Sequence, residues 1–193
     1  MKCLTCGHAM RSGRENIPES DLPNVTLVGV TVNRCPHCGA WEVEIPHHTD
    51  LTKELARIVI SKPGRLSKEE IRYLRSCLFD SAADFAQVIG HDASTVSRWE
   101  NGQQKIGRHA ELLLRLMVAH EKRIPAYPIA KLKDVAIENT RDPASVRVTF
   151  DGERWNAQPA RKPLGRARRR AAATTPRRVL LPGPGEVNAA GRK

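Results

Sequence analysis

Aromatic side chains are scarce in this chain: three Phe, three Trp and two Tyr among 193 residues. Packing must be mainly aliphatic, and the length allows one or two small domains with modest cores rather than a large enzyme interior. No apolar run reaches the ~18–20 residues that span a bilayer, and the opening MKCLTCGHAM lacks the apolar centre of a signal peptide. A cytoplasmic protein with no membrane partner is expected. Catalytic signatures are missing as well: there is no Ser/His/Asp set, no phosphate-binding glycine loop and no dinucleotide fingerprint, so the chain reads as a non-enzyme. Acidic residues are nearly absent from 154–193, where Glu186 stands against 11 Lys and Arg, whereas 1–153 carries 21 basic and 20 acidic residues. The net charge of +11 therefore belongs almost wholly to the C-terminal stretch. It does not reveal what the first 153 residues bind.

What the chain does have is five cysteines, and in a reducing compartment these are ligands or buried thiols before they are disulfide partners. Cys3-x-x-Cys6 and Cys35-x-x-Cys38 stand 28 residues apart, and each pair is followed by glycine, Gly7 or Gly39. Two such turns can close a tetrahedron of thiolates around zinc, with each glycine free to take a positive φ and aim backbone amides at the sulfurs. A redox CxxC would need one pair beside a βαβ pattern. Here two pairs flank strands: Val28, Val30 and Val32 alternate with Thr31 and Asn33, and Trp41, Val43 and Ile45 alternate with Glu42 and Glu44. Four thiolates fill the shell and leave no position for water, so one structural Zn2+ per chain is expected at Cys3, Cys6, Cys35 and Cys38. By the same argument His8 and His37 read as ordinary surface histidines. His47 and His48 read as solvated, and Cys77 as a small core residue in mid-helix.

Residues 47–60 read as a bridging helix, and Ser61-Lys62-Pro63-Gly64 as a break. A series of capped helices follows. Ser67 and Glu70 make a capping box ahead of a stripe of Ile71, Leu74, Cys77 and Leu78. Ser81 caps a helix that Gly90 ends, Asp92 caps the next, and Leu112, Leu113, Leu116 and Met117 mark another. On the helix from Ala93 to Asn101, at about 100° per residue, Ala93, Val96, Trp99 and Glu100 fall on one side, with Ser94, Thr95, Ser97, Arg98 and Asn101 on the other. Short side chains let such a face approach base edges, and Arg can contact guanine with two hydrogen bonds. A generic helical bundle with one polar face is the competing reading.

Phe85-Ala86-x-x-Ile89-Gly90 followed by Ser94-Thr95-Val96-Ser97-Arg98-Trp99-Glu100-Asn101-Gly102 resembles the Xre/Cro-type helix-turn-helix. With the CxxC…CPxCG module ahead of it, the chain over about 1–120 resembles the MqsA antitoxin family, also called YgiT-type zinc-finger proteins. The resemblance implies structural zinc on Cys3, Cys6, Cys35 and Cys38, and an N-terminal module that grips a small ribonuclease toxin. It further implies a homodimer whose helix-turn-helix domains bind a palindromic double-stranded DNA operator and repress the chain's own operon. Arg98 would then read a base, with Ser94 at the neighbouring base-reading position and Thr95 and Ser97 near phosphates. Ser94 stands where well-known members carry Asn, Ala82 stands where Xre domains often carry Gln, and loop 103–107 lacks the usual Pro. Residues 66–118 hold seven basic and seven acidic residues, so little affinity is expected from counterion release.

Beyond 120 the resemblance ends. Val146–Trp155 alternates apolar residues around Asp151-Gly152, a signal for a hairpin with a two-residue turn, expected to pack on the helical domain or to pair with another chain. The Arg- and Pro-rich remainder cannot bury a core and reads as a disordered, phosphate-contacting tail. The expected fold class is α+β, in four parts. A small β-rich, zinc-ribbon-like module with the bridging helix fills 1–60, and an all-α domain of about five helices fills 66–120. An extension with the hairpin covers 121–157, and the tail covers 158–193. The expected function is that of a DNA-binding antitoxin of a type II toxin–antitoxin system. The alternatives are a stand-alone zinc-containing Xre-family regulator without a toxin, and a nonspecific nucleic-acid adaptor acting through the tail.

Overall fold

A computed structural model of the chain describes residues 1–124, 127, 132, 133, 135 and 145–160; the expected tail lies, past residue 160, outside them. The described elements are β1 (Arg11–Pro18), β2 (Val25–Arg34), β3 (Trp41–Glu44), α1 (His48–Ser61), α2 (Lys68–Ser76), α3 (Ala82–Ile89), α4 (Ala93–Glu100), α5 (Arg108–Glu121), β4 (Val146–Phe150) and β5 (Trp155–Pro159). The class is α+β, with five strands in one sheet and five helices. Four helices rather than about five fall between 66 and 121, because the fifth is the bridging helix α1. No described helix is long and apolar enough to cross a membrane.

β2 is the spine of the sheet. β1 pairs antiparallel along one edge. The other edge is shared, with β3 antiparallel to Thr31–Arg34 and β4 parallel to Val25–Val28. Strict alternation would place Leu27 and Val30 on opposite faces, yet both are buried. The register shows how: Glu15 opposes Val30 while Ile17 opposes Leu27, a bulge that inserts one extra residue into β2 and resets its phase. Gly29 takes φ +69° there and donates its N–H to Asn16 Oδ1 at 3.0 Å. Val28 is therefore half-buried and out of phase with Val30 and Val32, contrary to the simple alternation expected of them. Trp41, also expected to face inward, is 56% exposed and lies beneath the Arg34 guanidinium.

The hairpin at 146–159 neither packs mainly on the helices nor waits for another chain. β4 joins β2 directly and β5 closes antiparallel on β4. β5 also takes in Gln158 and Pro159, which were expected in the tail. The turn spans four residues instead of two, since Phe150 opposes Trp155 and Asp151 Oδ1 accepts the Glu153 and Arg154 amides, each at 2.9 Å. Trp155 is buried and donates its indole N–H to Pro46 O at 2.9 Å, just ahead of α1. α1 lays Leu51, Leu55, Ala56, Val59 and Ile60 into a core shared with Leu27, Val32 and Val148 of the sheet and Leu74, Phe85 and Leu114 of the other helices. Met1–Arg161 is one compact unit.

Helix boundaries follow local chemistry. The Ser67–Glu70 capping box forms, and Glu70 also receives Lys62. Ser81 accepts the Asp84 amide at 3.1 Å, and α3 ends with Gly90 at φ +69° and His91 N–H on Ala86 O at 2.9 Å. Asp92 sits at the start of α4 without a side-chain cap bond. Cys77 caps the end of α2 instead of lying mid-helix; it is half-buried, and burial pushes its thiol up. α5 departs most from expectation. Its buried face is Ala110, Glu111, Leu114, Arg115 and Val118, while Leu113 is 41% exposed. Arg115 is fully buried and clamps the expected break: its guanidinium donates to Ile60 O (2.9 Å), Lys62 O (2.7 Å), Gly64 O (2.7 Å) and Glu111 (2.9 Å). Glu111 also accepts the Leu66 amide at 3.1 Å and pairs with Arg65.

Candidate metal centre and nucleic-acid interface

The two CxxC turns are built alike. In the first, the Cys3 amide donates to His8 O and the Gly7 amide to Cys3 O, both at 2.9 Å; in the second, Cys35 donates to Ala40 O at 2.8 Å and Gly39 to Cys35 O at 3.0 Å. Both glycines have positive φ, +73° at Gly7 and +76° at Gly39. Each turn thereby curls around its own sulfurs, and β2 and β3 deliver the second turn at the end of their shared ladder.

The four sulfurs meet. Cys3 to Cys38 is 3.6 Å, and both Cys6 to Cys35 and Cys6 to Cys38 are 3.4 Å. A tetrahedral ion with metal–sulfur bonds of about 2.3 Å would set its sulfurs ~3.8 Å apart. The cluster is thus compatible with a four-sulfur metal site, and all four thiols are free of disulfides. Backbone amides point at the sulfurs in the same pattern on both turns. The amides of Cys6 and Thr5 hold Cys3 below its ordinary value, and those of Cys38 and His37 bring Cys35 down to about 6 against the pull of burial. Cys6 receives the His8 amide and Cys38 the Ala40 amide, but burial and the neighbouring sulfurs outweigh these and push Cys6 up to about 12 and Cys38 upward. Amide donors favour the anionic sulfur, the form that binds a metal.

The second candidate surface is α4. Val96 and Trp99 are buried, and the Trp99 ring meets His91 edge-on at 5.1 Å. Ser94, Ser97 and Arg98 are exposed and Thr95 is half-buried, so the four expected contact residues share one helix face. Ala93, expected inward, is exposed. Arg98 lies along its own helix, donating to Ser94 O (3.2 Å), Ser94 Oγ (3.4 Å) and Thr95 Oγ1 (3.3 Å). These contacts hold the guanidinium over the small hydroxyls while it stays solvent-accessible.

The orientation of α4 depends on residues that sequence reasoning missed. Arg75 donates to the buried carboxylate of Glu100 at 2.8 Å, and Arg72 donates to Glu100 O at 3.0 Å. A glutamate on the inward side of an amphipathic helix signals the need for a cation. Which arginine answers it depends on how α2 crosses α4, and local sequence does not carry that. His8 and His37, expected to be unremarkable surface residues, are exposed but stacked, with ring centroids 3.9 Å apart and planes 6° from parallel.

No protein-family model, curated protein or solved structure matches this chain.

Proposed function

We propose that the chain is a zinc-stabilised, sequence-specific DNA-binding regulator that acts as the antitoxin of a toxin–antitoxin pair. The observation that carries the DNA-binding reading is α4: a buried Val96–Trp99 side, a salt-bridged Glu100, and an outward face of Ser94, Thr95, Ser97 and Arg98. α3, the Gly90–Asp92 turn and α4 serve as the helix-turn-helix, with α4 in the major groove. Arg98 reads guanine, and the hydroxyls contact neighbouring bases and phosphates. The four-cysteine module is a zinc-ribbon-like unit holding one structural Zn2+, since an all-thiolate set selects a soft or borderline ion and a closed shell leaves no catalytic position. Free thiols suit a cytoplasmic setting.

One short recognition helix reads too few base pairs for useful specificity, so the working form is a homodimer on a palindromic operator. Leu112, Leu113 and Leu116 of α5 stand outside the core cluster of the described residues and supply an apolar row for the second copy. The N-terminal module would take the ribonuclease toxin. Its test is co-purification of the product of an adjacent gene, and a lone chain would reduce the function to that of a stand-alone regulator.

Arg98→Ala tests the DNA reading. Loss of a bidentate base contact costs about 1–3 kcal/mol, an operator complex weaker by about 5-fold to 150-fold, with no change in folding because the side chain is exposed. Unchanged affinity in Arg98→Ala, with binding abolished by deleting 161–193, would place the activity in the tail instead. The deletion must spare Trp155–Pro159, which belongs to the sheet.

A further inference from the structure

Two imidazoles converge on one sulfur of the four-cysteine cluster. The ligand atoms of Cys6, His8 and His37 all lie within 4.8 Å of one another. This follows from the likeness of the two CxxC turns: His8 comes two residues after the second cysteine of its turn, His37 sits inside the other turn, and the two turns face each other across the sulfurs. His8 Nδ1 lies 3.1 Å from Cys6 O. A carbonyl oxygen only accepts, so Nδ1 carries the proton and Nε2 keeps its lone pair. Metal-binding histidines are held in this way, with one ring nitrogen anchored to a backbone carbonyl and the other left to the ion.

We propose that Cys6, His8 and His37 form a second, outer metal site for a divalent d-block ion of the zinc or cobalt type. Cys6 is its bridging thiolate. The inference rests on the reading of the four cysteines as a metal centre. A thiolate bound to one ion keeps further lone pairs, and four thiolates around one divalent ion leave the cluster with net negative charge that a second cation offsets. One sulfur and two imidazole nitrogens suit a borderline ion, whereas the all-oxygen preference of calcium and magnesium is unmet. Three protein ligands leave a position for water, so this site is open where the inner one is closed. Both rings are exposed, so His8 can keep its Nδ1–H bond to Cys6 O while the His37 side chain turns out of the stack to offer its lone pair to the same ion. An exposed ion with a water ligand exchanges faster than one enclosed by four sulfurs, which makes the outer site responsive to the free metal around the protein.

The test is a metal count on the full chain, purified without chelator, reduced and titrated with Co2+, using native mass spectrometry and the sulfur-to-cobalt charge-transfer bands. Two ions per chain are expected for the wild type and one for His8→Ala/His37→Ala, whose retained inner ion reports that the module is folded. One ion in the wild type would overturn the outer site and leave the four-thiolate reading standing. No bound ion at all would overturn both. Two ions in the double variant as well would overturn the assignment to these histidines.

Discussion

At the residue scale, the decisive features are side chains that satisfy backbone groups at turns. The cysteine turns show it in the backbone amides that donate to their sulfurs, and Asp151 shows it in the hairpin. There the Arg154 and Glu153 amides, together with Asn156 at 2.7 Å, hold the Asp151 carboxyl below its ordinary 3.8. A carboxylate whose folded value is depressed adds stability that is present above its unfolded value and lost as pH falls through the folded one. The Asp151 carboxyl should thus titrate with a midpoint below 3.8 when followed by NMR, and the four-residue turn should loosen only under more acidic conditions. A midpoint at or above the ordinary value would show that the amides do not hold this carboxylate in solution.

At the scale of elements, α5 shows how a buried ion network can override apolar patterning. Leu112, Leu113, Leu116 and Met117 suggest the inward face, yet the helix turns Glu111 and Arg115 inward. The stretch Ile60–Leu66 presents three carbonyls and an amide there, and these need partners once buried. A planar guanidinium can serve several acceptors at once. Arg115→Ala leaves those carbonyls and part of Glu111 unanswered, and breaking such a buried pair costs about 3–5 kcal/mol. The expected result is a large drop in the urea midpoint. An unchanged midpoint would mean that the clamp does not hold the Ile60–Leu66 stretch. The outward leucines give the complementary expectation: Leu113→Asp should leave the folded chain intact and shift dimers to monomers in sedimentation velocity.

At the scale of the whole molecule, the C-terminal hairpin completes a sheet begun by the N-terminal module. β2 offers the Val25–Val28 edge, β4 pairs with it in parallel, and Trp155 reaches Pro46 at the entrance to α1. Removing a buried aromatic of this kind costs about 3–5 kcal/mol. Trp155→Ala should therefore lower the thermal midpoint of the entire unit. A loss confined to the hairpin, with the rest of the chain melting as before, would contradict the single shared core.

Much of the helical architecture was legible because its signals are local. The Ser67–Glu70 box, Ser81, Gly90 and the Val96–Trp99 spacing act within one or two turns, and the CxxCG pairs carry their own turn geometry. The cysteine grouping was legible for the same reason: two CxxCG turns of like backbone geometry need only be brought together. Other features depended on partners distant in sequence. The phase of β2 is reset by a bulge opposite Asn16, Glu100 is answered by Arg75, and His37 is placed beside His8. Arg115 is buried against a segment more than 50 residues away, and β4 pairs with a strand over 100 residues earlier. The sequence by itself determined where the turns, caps and sulfur pairs lie, because those depend on nearest neighbours. Only the tertiary structure decided which faces are buried and which charges pair, because the cost of an unsatisfied group is set by whatever packs against it.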